Sequence, residues 1–265
     1  MDYSIVIPAY NEAKRLPSTL DSILAFLQKT HWNAEVIVVN DGSTDDTARV
    51  VRNYRERFAV VRLVDNKLNQ GKGRSIRDGV MQATGDIILF TDADNSTPIE
   101  DADKLVEAIS EGADVAIGSR WLQRNLQTLP QPWYRRLNGR IYNLLLRIFL
   151  GLDFKDTQNG FKAYSRQAAK TIFPLQRIPG WGFDAEVLFL ARKFAFVTRE
   201  VPVEYIYCAE GSKISPYRDG LRMFAELIKL RWYSLTGAYS TNALPSRNAA
   251  SQLSDVAIQS GRLSK

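Results

Sequence analysis

The chain has 265 residues, with one cysteine, one histidine and 35 Lys+Arg against 29 Asp+Glu, a net charge of +6. That length can bury a sizeable core within one α/β domain of ordinary size. The lone Cys208 excludes an intrachain disulfide and a cysteine-built metal site, and the lone His31, on a helix-to-strand connection, excludes a multi-histidine zinc site. The basic excess suits phosphorylated substrates, anionic lipid or nucleic acid.

The sequence opens directly on a strand, residues 3–8, with no charged leader or apolar signal segment, which sets the expectation of a cytoplasmic chain. The longest apolar run, residues 141–152, contains Arg147 and falls short of the ~20 residues a spanning helix needs. Strands are expected at 3–8, 35–40, 60–64, 87–91 and 115–119, and helices at 12–28, 44–57, 72–83 and 99–111. This alternation predicts an α/β fold: a mostly parallel sheet covered by helices on both faces. Ser43 with Asp46 predicts a hydroxyl cap with an acid three residues on, and Pro98 followed by Glu100 and Asp101 suits a first helical turn.

The strand ends carry the chemistry. The apolar run after Asp86 ends in Asp92 and Asp94, spaced i, i+2, where parallel sheets usually hold ligands. Such a pair suits Mg2+ or Mn2+, hard ions that take carboxylate oxygens and complete their shell from water and substrate phosphates. The first strand runs into Pro8-Ala9-Tyr10-Asn11-Glu12 and the second into Asn40-Asp41-Gly42-Ser43. Asp41 and Glu12 can hold a base or ribose hydroxyls there. Asn69-Gln-Gly-Lys72-Gly-Arg74, ahead of a helix, predicts a phosphate cradle with free backbone N–H groups and two cations, without the spacing of a P-loop ATPase.

Pro8-Ala-Tyr-Asn-Glu12, Asn40-Asp-Gly-Ser-Thr-Asp45, Gly71-Lys-Gly and Thr91-Asp-Ala-Asp94, in that order, resemble the catalytic domain of family 2 inverting glycosyltransferases, over about the first 120 residues. The resemblance implies a GT-A, Rossmann-like nucleotide-sugar-binding fold. It also implies a nucleotide-sugar donor held by Pro8, Ala9, Tyr10, Glu12, Asp41, Lys72, Asp92 and Ala93, its pyrophosphate bridged by Mg2+ or Mn2+. Asp94 is then the direct metal ligand, with Asp92 near the metal or the ribose. In the second half, Ile117-Gly-Ser-Arg120, Asp156-Thr-Gln-Asn-Gly-Phe-Lys162, Trp181-Gly-Phe-Asp-Ala-Glu186, Glu210-Gly-Ser-Lys213 and Arg231-Trp-Tyr-Ser-Leu-Thr-Gly-Ala238 are similar to dolichyl-phosphate β-glucosyltransferases and their polyprenyl-phosphate relatives. This extends the likeness to about residue 239, read as one catalytic domain with a nucleotide-sugar half (1–119) and an acceptor and membrane-proximal half (120–239). It implies transfer of glucose from UDP-glucose to a polyprenyl or dolichyl phosphate, with GDP-mannose or another nucleotide-hexose as the nearest alternative donor. The eukaryotic relatives carry an N-terminal membrane anchor, a point of departure here.

A phosphate monoester is already largely dianionic at neutral pH, its second pKa being roughly 6, so such an acceptor needs no strong general base. It does need positive charge beside an apolar channel. Arg120 is the first choice because a guanidinium grips two phosphate oxygens at once, with Arg136 and Arg140 assisting from the following helix. Lys213 resembles the family's loop residue that closes over the donor pyrophosphate. Asp156 and Asp184 either orient the acceptor or bind sugar hydroxyls; equally, Asp156 can pair with Lys162 or Arg120, and Asp184 can cap the amphipathic helix at 183–194.

Residues 133–150 and 217–233 mix aromatic, basic and aliphatic residues, as helices lying on a membrane do, or as helices completing a core. Residues 240–265 read as a disordered or weakly helical tail. A peripheral enzyme at the cytoplasmic face of a membrane is therefore expected. Two other classes fit less: a non-catalytic membrane-binding module leaves the acidic strand ends unexplained, and an acidic mouth repels a nucleic-acid backbone, so no nucleic acid is expected. A sugar-1-phosphate nucleotidyltransferase would open with a glycine-rich basic loop.

Overall fold

The computed structural model describes residues 1–123, 133–206 and 216–240, with side chains from residue 139 in the helix beginning at 133 and from residue 222 in the helix beginning at 216. Lys213, Cys208 and the tail beyond 240 lie outside the described residues, as does the side chain of Arg136. The strands are β1 (Tyr3–Ala9), β2 (Ala34–Asp41), β3 (Val61–Asn66), β4 (Ile87–Phe90), β5 (Val115–Ser119), β6 (Lys162–Ser165) and β7 (Thr198–Pro202). The helices are α1 (Leu16–Thr30), α2 (Thr47–Arg57), α3 (Lys72–Gln82), α4 (Ala102–Ser110), α5 (Trp133–Leu150), α6 (Arg166–Ile172), α7 (Phe183–Lys193) and α8 (Pro216–Leu235). They build one seven-stranded sheet in the order β3-β2-β1-β4-β6-β5-β7. All neighbours run parallel except β6, which is antiparallel to both β4 and β5.

Alternate residues of the same strands enter two cores. Ile5, Ile7, Val36 and Val38 face α1, α2 and α4; Val6, Ile37, Val39 and Phe90 face α3, α6 and α7. Unbroken apolar runs such as Val36-Ile-Val-Val39 follow from burial on both faces. All five expected strands and four expected helices are present. The strands β6 and β7 and the helix α6 were not expected. Four residues that begin with a lysine carry too little pattern to read as β6, and β7 is an edge strand with one fully buried position, Val201.

Two helix starts differ from expectation. The first begins at Leu16, not at residue 12, because Asn11 takes a positive φ of 52° and Pro17 sets the first turn. The second begins at Thr47, and the cap of Ser43 with Asp46 does not form: Asp46 occupies the N-cap without a capping side-chain bond, its carboxylate accepting from Arg49 instead. Ser43 Oγ instead accepts from Asn11 N at 2.9 Å, and Thr47 Oγ1 accepts from Glu12 N at 2.8 Å, so these hydroxyls tie the loops after β1 and β2 together. Pro98 leads into a single 3-10 turn, Ile99–Asp101, ahead of α4.

At the opposite edge of the sheet, Glu35 is buried on β2 and accepts from Ser4 Oγ at 2.8 Å, Thr84 N and Thr84 Oγ1 at 2.7 Å, and from Arg62. Burial alone would raise its pKa, but these donors together hold it below the ordinary 4.5. A lowered pKa means stability that is present above 4.5 and lost as pH falls through the folded-state value. Glu35→Gln is expected to cost about 1.5–3 kcal/mol at neutral pH. In urea titrations the difference from wild type should shrink as the pH drops below 4.5; a difference independent of pH would show that the charge contributes nothing.

Candidate active site

The C-terminal ends of β1, β2 and β4 bring three loops to one edge, as expected from the acidic strand ends. Asp41 is buried, and its two oxygens accept from Gln70 N and Gly71 N, both at 2.9 Å. Glu12 is held by Arg15 in a two-point pair, Nε to Oε2 at 2.7 Å and Nη2 to Oε1 at 2.6 Å. Pro8 and Ala9 lie in register with Val39 and Asn40, and Tyr10 is half-buried beside them.

The phosphate cradle needs correction. Four of its backbone N–H groups are engaged: Gln70 and Gly71 donate to Asp41, while Gly73 N and Arg74 N donate to Pro179 O at 2.8 and 3.3 Å. Arg74 is turned to Asp78, at 2.8 Å. The side chain of Lys72 is the cation that reaches the site. Gly71 carries a φ of 99°, and a Cβ there would stand 2.5 Å from Pro179 O, so glycine is required where the 176–183 segment meets the start of α3.

The carboxylates of β4 follow. Asp92 Oδ1 is 2.5 Å from Lys72 Nζ, whose ammonium also lies over the Trp181 ring at 5.1 Å. Burial works against the charge of Lys72, but Asp92, Asp184 and Asp94 outweigh it and raise its pKa. A Cβ on Gly160 would overlap the Asp92 carboxylate, so the 156–162 loop passes directly against it. Asp94 accepts from Ser96 N at 3.1 Å and lies 3.7 Å from Arg15 Nη1. Between the two, buried Ala93 offers its carbonyl to Thr19 Oγ1 at 2.9 Å. Burial and the neighbouring Asp92 push the Asp94 carboxyl above its ordinary value. Two carboxylates, one of them held up in pKa by burial and by the other's charge, suit a Mg2+ or Mn2+ ion whose shell substrate phosphates complete. They fit such an ion only together with a ligand: among the described residues no group of three or more His, Cys, Asp or Glu is gathered to hold a metal.

Two further ion pairs flank this edge. Arg120, at the end of β5, grips Asp156 through Nε at 2.6 Å and Nη2 at 2.8 Å, and its backbone N donates to the same carboxylate at 3.0 Å. Burial opposes both charges; the pairing wins, raising the pKa of Arg120 and lowering that of Asp156. The Arg120 guanidinium also lies 5.0 Å from the centre of the Tyr205 ring. Asp184 does not cap α7, whose N-cap is Gly182; it is buried in the first turn, paired with Lys162. Lys162 is fully buried and also donates to Asn159 O at 2.6 Å. Burial raises the pKa of Asp184 and lowers that of Lys162. Arg140 is exposed on α5. Arg15 and Trp181 were not expected at the site. Arg15 was legible from its i, i+3 spacing to Glu12.

The profile of "Glycosyl transferase family 2" matches residues 4–173. The chain belongs to this family. Among curated glycosyltransferases it is 35% identical over 252 residues to dolichyl-phosphate beta-glucosyltransferase of Drosophila melanogaster, covering 90% of this chain and 77% of that one. It is 34% identical to the human enzyme of that name, over 89% and 76% of the two chains. It is 33% identical to that of Saccharomyces cerevisiae, over 90% and 77%. The fold is shared with glucosyl-3-phosphoglycerate synthase of Mycobacterium tuberculosis, with a TM-score of 0.65 at 23% identity over 87% of this chain and 81% of the other. The GT-A architecture expected from the sequence is therefore present, and the chain is a glycosyltransferase. Within this family's site, Gly160→Ala is expected to displace the Asp92 carboxylate and lower glycosyl transfer by about 100-fold while the melting temperature stays close to wild type. Transfer assays beside thermal melts check it; unchanged activity would mean that Asp92 tolerates displacement.

Proposed function

We propose that the chain transfers glucose from UDP-glucose to a polyprenyl phosphate, dolichyl or undecaprenyl, with inversion to a β-linked lipid-phosphate sugar. What carries this reading is the likeness at 33–35% identity, over about nine-tenths of the chain, to enzymes named for that acceptor and that linkage. Residues 1–239 form the catalytic unit in this reading, and 240–265 a tail. Asp94 and Asp92 hold Mg2+ or Mn2+, which when bound stabilises the charge growing on the departing diphosphate. Solved relatives of the same fold have been crystallised with Mn2+ and UDP-glucose or with Mg2+ and UDP, in support.

The residues of the chain do the rest. Glu12 and Asp41, with Pro8, Ala9, Tyr10 and Ala93, line the place of the nucleoside. Lys72 turns its ammonium from Asp92 to the pyrophosphate, and Lys213, outside the described residues, is proposed as a second cation for it. Arg120, kept in one orientation by Asp156, takes the acceptor phosphate with help from Arg140; Arg136, whose side chain lies outside the described residues, is a further candidate. Asp184, paired with Lys162, sets the floor beneath the sugar. One acceptor oxygen then forms the bond to the anomeric carbon as the bond from that carbon to UDP breaks on the opposite face. The oxygen arrives already ionised, so no proton has to be removed.

The lipid acceptor also gives a role to an apolar surface. On α5 and α8, joined edge to face by Phe149 and Phe224 at 6.2 Å, Ile148, Trp232 and Leu235 are 68%, 64% and 72% exposed. Arg140, Arg147, Lys229 and Arg231 are exposed on the same helices. A stripe of this kind sinks its apolar side chains between lipids while its cations meet anionic headgroups. No helix among the described residues is long and apolar enough to cross a membrane. In this reading the stripe seats the enzyme peripherally on a membrane, and the cytoplasmic face is proposed.

Two experiments test this. Labelled nucleotide sugars are offered with short polyprenyl phosphate and Mg2+, Mn2+ or EDTA, and lipid-extractable label is followed. Label from UDP-glucose, lost in EDTA and in Asp94→Ala, is expected; label from GDP-mannose alone would overturn the donor, and activity retained in Asp94→Ala would overturn the metal role. In the second, Ile148→Glu with Trp232→Glu should abolish sedimentation with anionic vesicles and leave UDP binding intact. Unchanged sedimentation would remove this face from the membrane.

A further inference from the structure

One buried carboxylate outside the site touches the segment that carries Trp181. Glu226 lies on α8, is 6% exposed, and accepts from Gly182 N through Oε2 at 2.8 Å. Its other oxygen is 3.6 Å from Arg222 Nε. The approach to the backbone is close: a Cβ on Gly180 would stand 2.6 Å from Glu226 Oε1, and one on Gly182 2.5 Å from Oε2. The carboxylate thus fills the space that side chains on either side of Trp181 would occupy.

The same short segment is fastened on its other side to the start of α3. Pro179 O accepts from Gly73 N at 2.8 Å and Arg74 N at 3.3 Å, and Gln176 Nε2 donates to Gly73 O at 2.8 Å. Trp181 stands over Lys72, and Lys72 reaches Asp92 at 2.5 Å. A continuous run of contacts therefore joins α8 to Lys72, the cation paired with Asp92.

We infer that Glu226 is a positioning residue for the donor: it holds Gly180-Trp181-Gly182 so that Trp181 keeps Lys72 in place for the pyrophosphate. The physical grounds are local. A ring over an ammonium restricts where that flexible side chain can sit, and a charge-assisted bond to a buried backbone N–H is among the stronger devices for fixing a loop. Without the carboxylate, Gly182 N loses its partner and the two glycines flanking Trp181 are free to turn. The inference rests on reading Lys72 as a donor-phosphate ligand, so one of its tests needs no donor.

In the ligand-free protein, the rate at which an amine-reactive acylating reagent labels each lysine is read by mass spectrometry for wild type, Glu226→Ala and Glu226→Gln. Glu226→Ala should speed labelling at Lys72 several-fold and leave Lys29 and Lys170 unchanged, with Glu226→Gln, which keeps an acceptor oxygen, near wild type. In parallel, UDP affinity with Mg2+ is measured by calorimetry for Glu226→Ala, Lys72→Met and the double variant. A residue acting through Lys72 makes the two losses non-additive, the double variant binding about as weakly as Lys72→Met. Equal speeding at all lysines would show general loosening of the fold, and additive losses would show that Glu226 acts elsewhere; either overturns the inference. A wild type that binds no UDP overturns the choice of donor, while the labelling still decides the role of Glu226.

Discussion

At the C-terminal edge of the sheet acids are paired with cations: Asp92 with Lys72, Asp184 with Lys162, Asp156 with Arg120, and Glu12 with Arg15, which also faces Asp94. The rest of the site follows from this constraint. A buried charge without a partner is costly, so the three pairs that are distant in sequence must come from elements the fold holds together. Lys162 is on β6, the antiparallel strand between β4 and β5, and its partner opens α7. Lys72 opens α3, and its partner follows β4. The odd strand orientation is thus where a lysine is delivered beneath an edge otherwise made of parallel strand ends.

The pairing also bears on chemistry. A carboxylate gripped by a guanidinium, as Asp156 is by Arg120, has its pKa lowered and makes a poor proton acceptor. What such an edge offers instead is fixed charge, oriented before substrate arrives, which is how protein sites stabilise a departing diphosphate. An acceptor that brings its own negative oxygen is the natural partner for it. Asp94, like Asp184, is pushed up in pKa by burial, and the neighbouring Asp92 adds to it. A hard cation held by Asp92 and Asp94 would offset the like-charge repulsion between them.

Much of this was legible in the sequence. Buried parallel strands read as unbroken apolar runs, and their polar ends marked the loops after β1, β2 and β4. The boundaries that failed did so for a common reason. Residues 12–15 and 44–46 fit a helix pattern, yet Asn11, Ser43, Asp45 and Thr47 spend their side chains on binding one loop to the other. The cradle before α3 looked open because sequence cannot show that Asp41 and Pro179 take its N–H groups. Lys162 and Asp184, in neighbouring motifs, gave no sign of meeting, since only the fold of β6 against α7 joins them. Glu226 carried no signal at all: an acid on an amphipathic helix reads as surface until the helix is docked.

The most direct test of a site that works by fixed charge without a side-chain base is the pH dependence of kcat/KM with two acceptors, a polyprenyl phosphate and the matching phosphonate, whose second pKa is higher than the phosphate's value of roughly 6. The acid limb is expected to move with the acceptor, rising to the phosphonate's pKa when that compound is used. A limb that stays in place for both acceptors would report an ionising group of the protein and contradict a base-free transfer.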